Sequence, residues 1–151
     1  MQALPPGAGG HGMNAELAKV VELLRSMDAV LVNVGHGRGE RSTADADAFV
    51  RAWADGGGEL GTVVSWPATA ASWLRPACRF AAGAPDAWVV AAEPGEWTGI
   101  GPRLAATGLW RPHRTVAFSG LAGLADGVDG LRGATEDGAG WMFFDGQLVV
   151  G

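Results

Sequence analysis

Four short apolar runs, each preceded by a segment with helical periodicity, constrain the fold of this chain more than any other feature. The runs are rich in β-branched residues and lack the alternation of a strand that faces water on one side. They occupy residues 29–34, 59–66, 86–92 and 114–119. This alternation of helix and buried strand predicts an α/β fold, a three-layer α/β/α sandwich with a mainly parallel sheet.

The segments between these runs place apolar residues three and four positions apart. Helices are therefore expected at 15–27, at about 42–55, at 72–82 and at about 97–107. Residues 120–140 are rich in glycine and are expected to form loops, with a short helix near 121–126. The segment WMFF-DG-QLVV predicts a β-hairpin over 141–150, because Asp145-Gly146 suits a type I′ turn between two apolar arms.

Length and composition favour one domain with few function classes open to it. The 151 residues fit a single domain, expected at 14–151 after a Gly/Pro-rich flexible leader at 1–13. Eleven basic residues, of which Lys19 is the only lysine, stand against sixteen acidic ones, and no basic run occurs. We therefore expect no nucleic-acid partner. No apolar run approaches the length of a bilayer span, so no membrane insertion is expected.

Neither a metal nor a cofactor is expected from the sequence. Cys78 is the only cysteine, which excludes an internal disulfide and a site built from several thiolates. The glycines after the first strand follow the spacing GxGxG rather than the dinucleotide pattern GxGxxG. The second strand ends in Ser65-Trp66, without the acidic residue that would hold a ribose.

Three stretches, together with a fourth, carry a resemblance to a known family. They read AELAKVVELLRSM-DAVLVNVG, then FVRAWADGGGELGTVVSW, then CRFAAGAPDAWVVAA. With LAATGLWRPHRTVAFSGL, they resemble the second lobe of type 1 periplasmic binding proteins, the two-lobed substrate-binding proteins of branched-amino-acid-type ABC transporters. The resemblance runs from residue 15 to about 121. The first lobe, the export signal and a tyrosine that the family often has near its first strand are missing.

The resemblance implies a solute-binding module for a small polar molecule, with no catalysis of its own and no catalytic residue. Parallel sheets bind ligands beyond the carboxyl ends of their strands, near the switch in strand order. The candidate ligand-binding residues come from the segments at those ends: Asn33, His36, Arg38, Ser65, Trp66, Glu93, Trp97 and Ser119.

Two alternatives remain open at the same segments. The loop Gly35-His36-Gly37-Arg38-Gly39 could hold an anion at a helix N-terminus, or it could be a tight surface turn. It is also similar to the His-Gly-Ser/Thr-Arg loop of sirohydrochlorin chelatases, but it lacks the Ser/Thr. A small chelatase- or transferase-like enzyme would use His36, ideally within reach of Glu93. Glu93 and Glu96 could act as acid and base, bind an amine, or simply favour a helix N-terminus.

Partners and location depend on whether the chain is a piece of a longer protein. Half a cleft implies a homo-oligomer or a missing partner lobe, and a third alternative is a self-associating interaction domain. The hairpin 141–150 is expected to self-associate by presenting Trp141 and Phe143, or Met142 and Phe144, unless both of its faces are buried. No signal peptide is visible, so the chain as given is expected to be cytoplasmic, and exported if it was excised from a longer solute-binding protein.

Overall fold

The computed structural model describes residues 13–151, so nearly all of the predicted leader lies outside the described residues. The described chain forms seven strands and five α-helices. The strands are β1 (Leu31–Gly37), β2 (Glu59–Trp66), β3 (Ala87–Ala91), β4 (Thr115–Ala117), β5 (Arg132–Ala134), β6 (Gly140–Phe144) and β7 (Gln147–Val150). The helices are α1 (Ala15–Ser26), α2 (Glu40–Asp55), α3 (Leu74–Ala81), α4 (Pro94–Trp97) and α5 (Ile100–Thr107), with 3₁₀ turns at Pro112–Arg114 and Ser119–Gly123.

All seven strands belong to one sheet in the order β2-β1-β3-β4-β5-β6-β7. The first five strands in that order run parallel to one another. β6 pairs in antiparallel fashion with β5, and β7 pairs in antiparallel fashion with β6. One apolar cluster joins α1 and α2 to one face of the sheet, and a second joins α3, α4 and α5 to the other face. The predicted three-layer α/β/α sandwich with a mainly parallel sheet is therefore confirmed.

The first strand is longer than its apolar run, because it continues through Gly35, His36 and Gly37. Gly35 allows this continuation. A Cβ at that position would lie within 3 Å of the rings of Trp66 and Phe80, which pack over the strand. The glycines at the start of the predicted loop thus belong to β1, and His36 pairs in register with β2 and β3.

The C-terminal hairpin is present as predicted, with Asp145 and Gly146 both at positive φ in the turn between β6 and β7. The sequence did not predict β5, whose three residues carry a glycine at the centre. Gly133 has no room for a side chain, because a Cβ would overlap the Ala117 carbonyl oxygen and the Trp141 ring. The helix expected at about 97–107 corresponds to α5, which begins at Ile100 and has Pro102 in its first turn, and the short helix α4 precedes it.

Candidate functional site

The strand order reverses between β1 and β3, so the ligand crevice expected for a sheet of this kind lies beyond the carboxyl ends of these two strands. The Glu96 carboxylate of α4 occupies this point. Its Oε2 accepts the Gly39 backbone N–H at 2.7 Å, and Gly39 is the N-cap of α2. Its Oε1 accepts the Ser42 hydroxyl at 2.6 Å and the Glu93 backbone N–H at 2.9 Å. The chain therefore places its own anion at the glycine loop, where an anion from solution was one of the two alternatives left open.

The environment of Glu96 favours its ionised form. Burial alone would raise the pKa of the carboxyl, but the hydrogen bonds from Ser42, Glu93 and Gly39 outweigh it and lower the pKa. Gly37 leaves the space for this arrangement, because a Cβ there would overlap the Glu96 carboxylate. Only glycine fits at position 37 without a shift, because the Glu96 carboxylate occupies the space beside it.

Beside Glu96, the ends of β1 and β2 bring three candidate residues together. Arg38 is exposed, and its Nε donates to the Ser65 hydroxyl at 3.3 Å. His36 pairs with Ser65 in the register, and its Nδ1 donates to the Gly37 carbonyl oxygen at 2.7 Å. These residues form a polar, partly exposed surface whose cationic group, Arg38, has no acidic partner among residues 13–151.

On the other side of Glu96, Arg41 of α2 is surrounded by carboxylates. Its Nη2 donates to the Ser119 hydroxyl at 2.9 Å and lies 3.5 Å from both Glu16 Oε1 and Glu136 Oε2. Its Nε lies 3.7 Å from Asp45 Oδ2. We call Arg41, Glu16, Asp45, Glu93, Ser119 and Glu136 the Arg41 cluster.

Negative charge exceeds positive charge in the Arg41 cluster. Burial raises the pKa of Asp45 to about 6, and repulsion from Glu16 adds to this effect, while Arg41 opposes it. For Arg41, burial would lower the pKa of the guanidinium, but Glu16, Glu136, Asp45 and Glu93 together raise it. Arg41 is therefore cationic at every ordinary pH, and it stands among four acidic side chains.

At the carboxyl edge of the sheet, the backbone of Ser119 is bonded to a buried acid of α1. Glu16 is only 4% exposed, and its Oε2 accepts the Ser119 backbone N–H at 2.6 Å. Glu93 is the N-cap residue of α4, and its Oε2 lies close to Gly120. The structure thus brings Glu93 and Ser119 to the same end of the edge.

Three other candidates are buried inside the fold. Asn33 is buried in mid-strand, and its Nδ2 donates to the Phe80 and Ala82 carbonyl oxygens at 2.9 and 2.8 Å. Trp66 is fully buried and donates to the Glu96 carbonyl oxygen at 2.7 Å. Trp97 packs against Trp66 with its ring centroid 6.4 Å away. The structure therefore separates these three from the exposed surface that carries Arg38 and Ser65.

Sequence reasoning missed Glu16 and Asp45 as members of the site. Glu16 lies in the first turn of α1, where an acid is common because it complements the helix dipole. Asp45 lies four residues after Arg41 on α2, a spacing that by itself indicates only an ion pair on the helix surface. Only the packing of α1 beside α2 brings Glu16 to Arg41, and no local spacing signals that contact.

A cavity of about 400 Å³ lies at the opposite, amino edge of the sheet, lined by residues that include Asp86, Trp88, Arg111 and Arg114. Asp86 serves the fold there, because its carboxylate accepts the Val30 and Leu31 N–H groups at 2.9 and 2.8 Å. These bonds lower the pKa of Asp86. The cavity provides a second location against which a ligand site at the carboxyl edge can be tested.

Among residues 13–151, no three His, Cys, Asp or Glu side chains are grouped so that they could hold a metal ion. None of the helices found there combines the length and apolar character that a membrane crossing requires.

The parallel sheet and its covering helices define a class: this is the fold of one lobe of the type 1 periplasmic binding proteins. An extracellular ligand-binding receptor from Rhodopseudomonas palustris HaA2 matches with a TM-score of 0.61 at 16% identity, over 72% of this chain and 29% of that chain. A second extracellular ligand-binding receptor from Rhodopseudomonas palustris matches with a TM-score of 0.61 at 15% identity, over 74% of this chain and 30% of that one.

A branched-chain amino acid ABC transporter periplasmic ligand-binding protein from Burkholderia xenovorans LB400 matches with a TM-score of 0.57. The identity is 13%, over 69% of this chain and 28% of that chain. No family model and no curated protein matches the sequence. The resemblance seen in the sequence is confirmed as a likeness of fold, and the chain spans less than a third of the length of each of these structures.

Proposed function

We propose that the chain is a solute-binding module without catalysis of its own, and that its ligand is a small polar molecule bearing an amine. The Arg41 cluster is the observation that carries this proposal. Four carboxylates around one guanidinium leave excess negative charge at the edge where sheets of this order bind ligands. An ammonium group placed there would gain charge-assisted hydrogen bonds.

The rest of the ligand would lie along the exposed surface toward β2. Arg38 and Ser65 offer a cation and a hydroxyl on the far side of Glu96. An amino acid presents an ammonium and a carboxylate together, and branched-chain amino acids are named for the Burkholderia xenovorans structure. Amino acids are therefore the first ligand class to test.

The carboxyl edge forms one wall of a binding site in this proposal. The matched receptors are more than three times as long as the part of them that this chain spans. A partner lobe, or a second copy, would supply the opposite wall and exclude water from the ligand. If the chain belongs to such a longer protein, its place is outside the cytoplasm, as for the extracellular and periplasmic matches.

Amide chemical shifts measured during titration with L-leucine would test the proposal. We expect shifts at Arg38, Glu93 and Ser119, and Glu93→Gln should weaken them. Glu59→Gln is the matched control, because Glu59 is an exposed acid at the amino edge, where β2 begins.

The amine-free analogue 4-methylpentanoate separates the role of the ammonium group from that of the carboxylate. We expect it to produce clearly smaller shifts at Glu93 and Ser119. Equal shifts with both compounds would contradict the amine site. Shifts confined to Asp86 and Arg114 would place binding in the amino-edge cavity and reject the carboxyl edge.

A further inference from the structure

The outermost strand, β7, exposes apolar side chains on both faces of the sheet. Leu148, Val149 and Val150 are 38%, 55% and 55% exposed, and Phe144 next to the turn is 66% exposed. Edge strands are usually protected by a charge, a proline or a bulge, and β7 has none of them. The described part of the chain thus ends its sheet in an apolar, unprotected strand.

The backbone of β7 also has hydrogen-bonding groups directed outward. Gln147 pairs with Phe144 across the turn, and the Gly151 N–H donates to the Gly140 carbonyl oxygen at 2.9 Å. Because bonding alternates along an antiparallel pair, Leu148 and Val150 turn their N–H and C=O groups away from β6. No strand within residues 13–151 takes up these groups.

The two ends of the hairpin carry opposite charges. Asp126, Asp129 and Asp145 lie at the turn end, where the Gly146 N–H donates to Asp129 Oδ1 at 3.1 Å. At the open end, Lys19 and Arg132 line a groove of about 350 Å³ together with Gly140, Val149 and Gly151. Lys19 is paired with Glu22, whereas the buried Arg132 Nε has no partner among the described residues.

We propose that β7 pairs in antiparallel fashion with β7 of a second copy of this chain, about a two-fold axis. Antiparallel pairing sets the acidic turn end of each copy beside the basic groove of the other, whereas parallel pairing would oppose like charges. The pairing uses the outward groups of Leu148 and Val150 on both chains, as a self-complementary interface requires. The added strand also places its own apolar side chains beside those of β7 on each face of the sheet.

Sedimentation velocity of the 151-residue chain, from about 1 to 200 µM, would test this interface. We expect a reversible dimer that Val150→Pro converts to a monomer, since proline removes an outward N–H without disturbing β6. Val149→Lys should also weaken the dimer at least tenfold. Val63→Lys is its matched control, because Val63 is 46% exposed on β2, at the other end of the sheet.

Charge exchange provides a test that does not alter the strand itself. Lys19→Glu should weaken association several-fold, and the double variant Lys19→Glu/Asp126→Lys should recover most of the loss. Added salt should weaken the dimer of the original chain. Far-UV circular dichroism of each variant separates a lost interface from a lost fold.

Several outcomes would overturn the proposal. A monomer at all concentrations would reject it, and so would a dimer that survives both Val150→Pro and Val149→Lys. If the chain becomes dimeric only after residues 1–12 are removed, that segment rather than a second copy covers the edge in the intact chain. None of these outcomes bears on the ligand site, because β7 lies at the end of the sheet away from β1 and β2.

Discussion

At the scale of single residues, Asp45 shows how charge is distributed at the carboxyl edge. It lies on α2 with its side chain 22% exposed, one turn after Arg41. Burial and the neighbouring Glu16 disfavour its ionised form more than Arg41 favours it, so its pKa rises to about 6. At neutral pH the ionised Asp45 carboxylate therefore destabilises the folded protein.

Replacing Asp45 by asparagine should remove a pH-dependent loss of stability. The folded-state pKa of about 6 lies above the ordinary value of 3.8, so the folded state binds this proton more tightly than the unfolded state. The stabilisation that comes from protonated Asp45 is fully present below pH 3.8 and is lost as the pH rises through about 6. At pH 7.5 we expect Asp45→Asn to raise the free energy of unfolding by about 1 kcal/mol, after solvent screening is allowed for.

Urea unfolding of both proteins at pH 4 and pH 7.5 would measure this effect. The gain should shrink at pH 4, and Asp47→Asn, an exposed change on the same helix, should show no such trend. A variant less stable than the original chain at pH 7.5 would mean that the ion pair with Arg41 outweighs the repulsion.

The individual site residues were only partly predictable from the sequence. Strand periodicity located the edge, and the structure does place Arg38, Ser65 and Ser119 there with polar contacts. It could not reveal that the Asn33 amide bonds the carbonyl groups of Phe80 and Ala82, more than forty residues away. A side chain's hydrogen-bond partners depend on long-range packing, which no local pattern encodes.

At the scale of elements, the Glu96 carboxylate joins the one-turn helix α4 to the start of α2. It accepts from Gly39, Ser42 and Glu93, so it satisfies N–H groups on both elements. An isolated helix of four residues has almost no stability of its own. The side chain therefore holds α4 in place, together with the hydrogen bond from Trp66 to the Glu96 carbonyl oxygen.

Glu96→Gln should destabilise this junction despite its matched shape. Glutamine presents one oxygen and one NH₂ group, so the NH₂ must face a donor that now bonds a carboxylate oxygen. We expect a loss of about 1–3 kcal/mol at neutral pH, because a backbone N–H donor loses its charged acceptor. Thermal unfolding would measure it, with Glu40→Gln, an exposed change in the first turn of α2, as control.

The pH dependence of stability in the original chain and in Glu96→Gln gives a second readout. Because the pKa of Glu96 is lowered in the folded state, its ionised carboxylate stabilises the fold at pH values above the ordinary pKa of 4.5. This stabilisation is lost as the pH falls through the folded-state pKa. The difference in stability between the original chain and Glu96→Gln should therefore become smaller at acidic pH. Equal stability at pH 7 would show that the three hydrogen bonds do not hold α4.

Elements with an apolar pattern were predictable, and elements without one were not. The apolar pattern identified α1, α2 and the strands β1–β4, because each buries apolar residues. β5, with the sequence Arg-Gly-Ala, carries no apolar run, and it is a strand that pairs with β4 and β6 on either side. The same holds for α4, which is fixed by tertiary contacts.

At the scale of the whole molecule, two apolar clusters share one sheet. Alternate residues of β3 enter opposite clusters: Trp88 and Val90 face α3 and α5, whereas Val89 and Ala91 face α1 and α2. Neither cluster can lose its order without freeing strands that the other one needs. The described chain should therefore unfold as a unit.

The tryptophans allow this cooperativity to be measured. Trp53 is the only tryptophan of the α1–α2 cluster, so in a Trp53→Phe background the fluorescence reports the opposite cluster. Adding Leu24→Ala, at a fully buried position of α1, should cost about 2–5 kcal/mol. We expect it to lower the urea midpoint equally by fluorescence and by far-UV circular dichroism. A fluorescence midpoint that stays in place would show two independent units, and Leu23→Ala, at a partly buried position, is the control.

The carboxylate that Glu96 places at the reversal of strand order acts as a tethered competitor for any anion arriving from solution. Being part of the chain, it reaches Gly39 and Ser42 without the loss of translational freedom that a free solute must undergo. A dissolved phosphate or carboxylate would have to displace it and leave its charge unpaired. The molecule thus disfavours a free anion at this position, and in the proposed function recognition there shifts to groups that an ionised acid attracts.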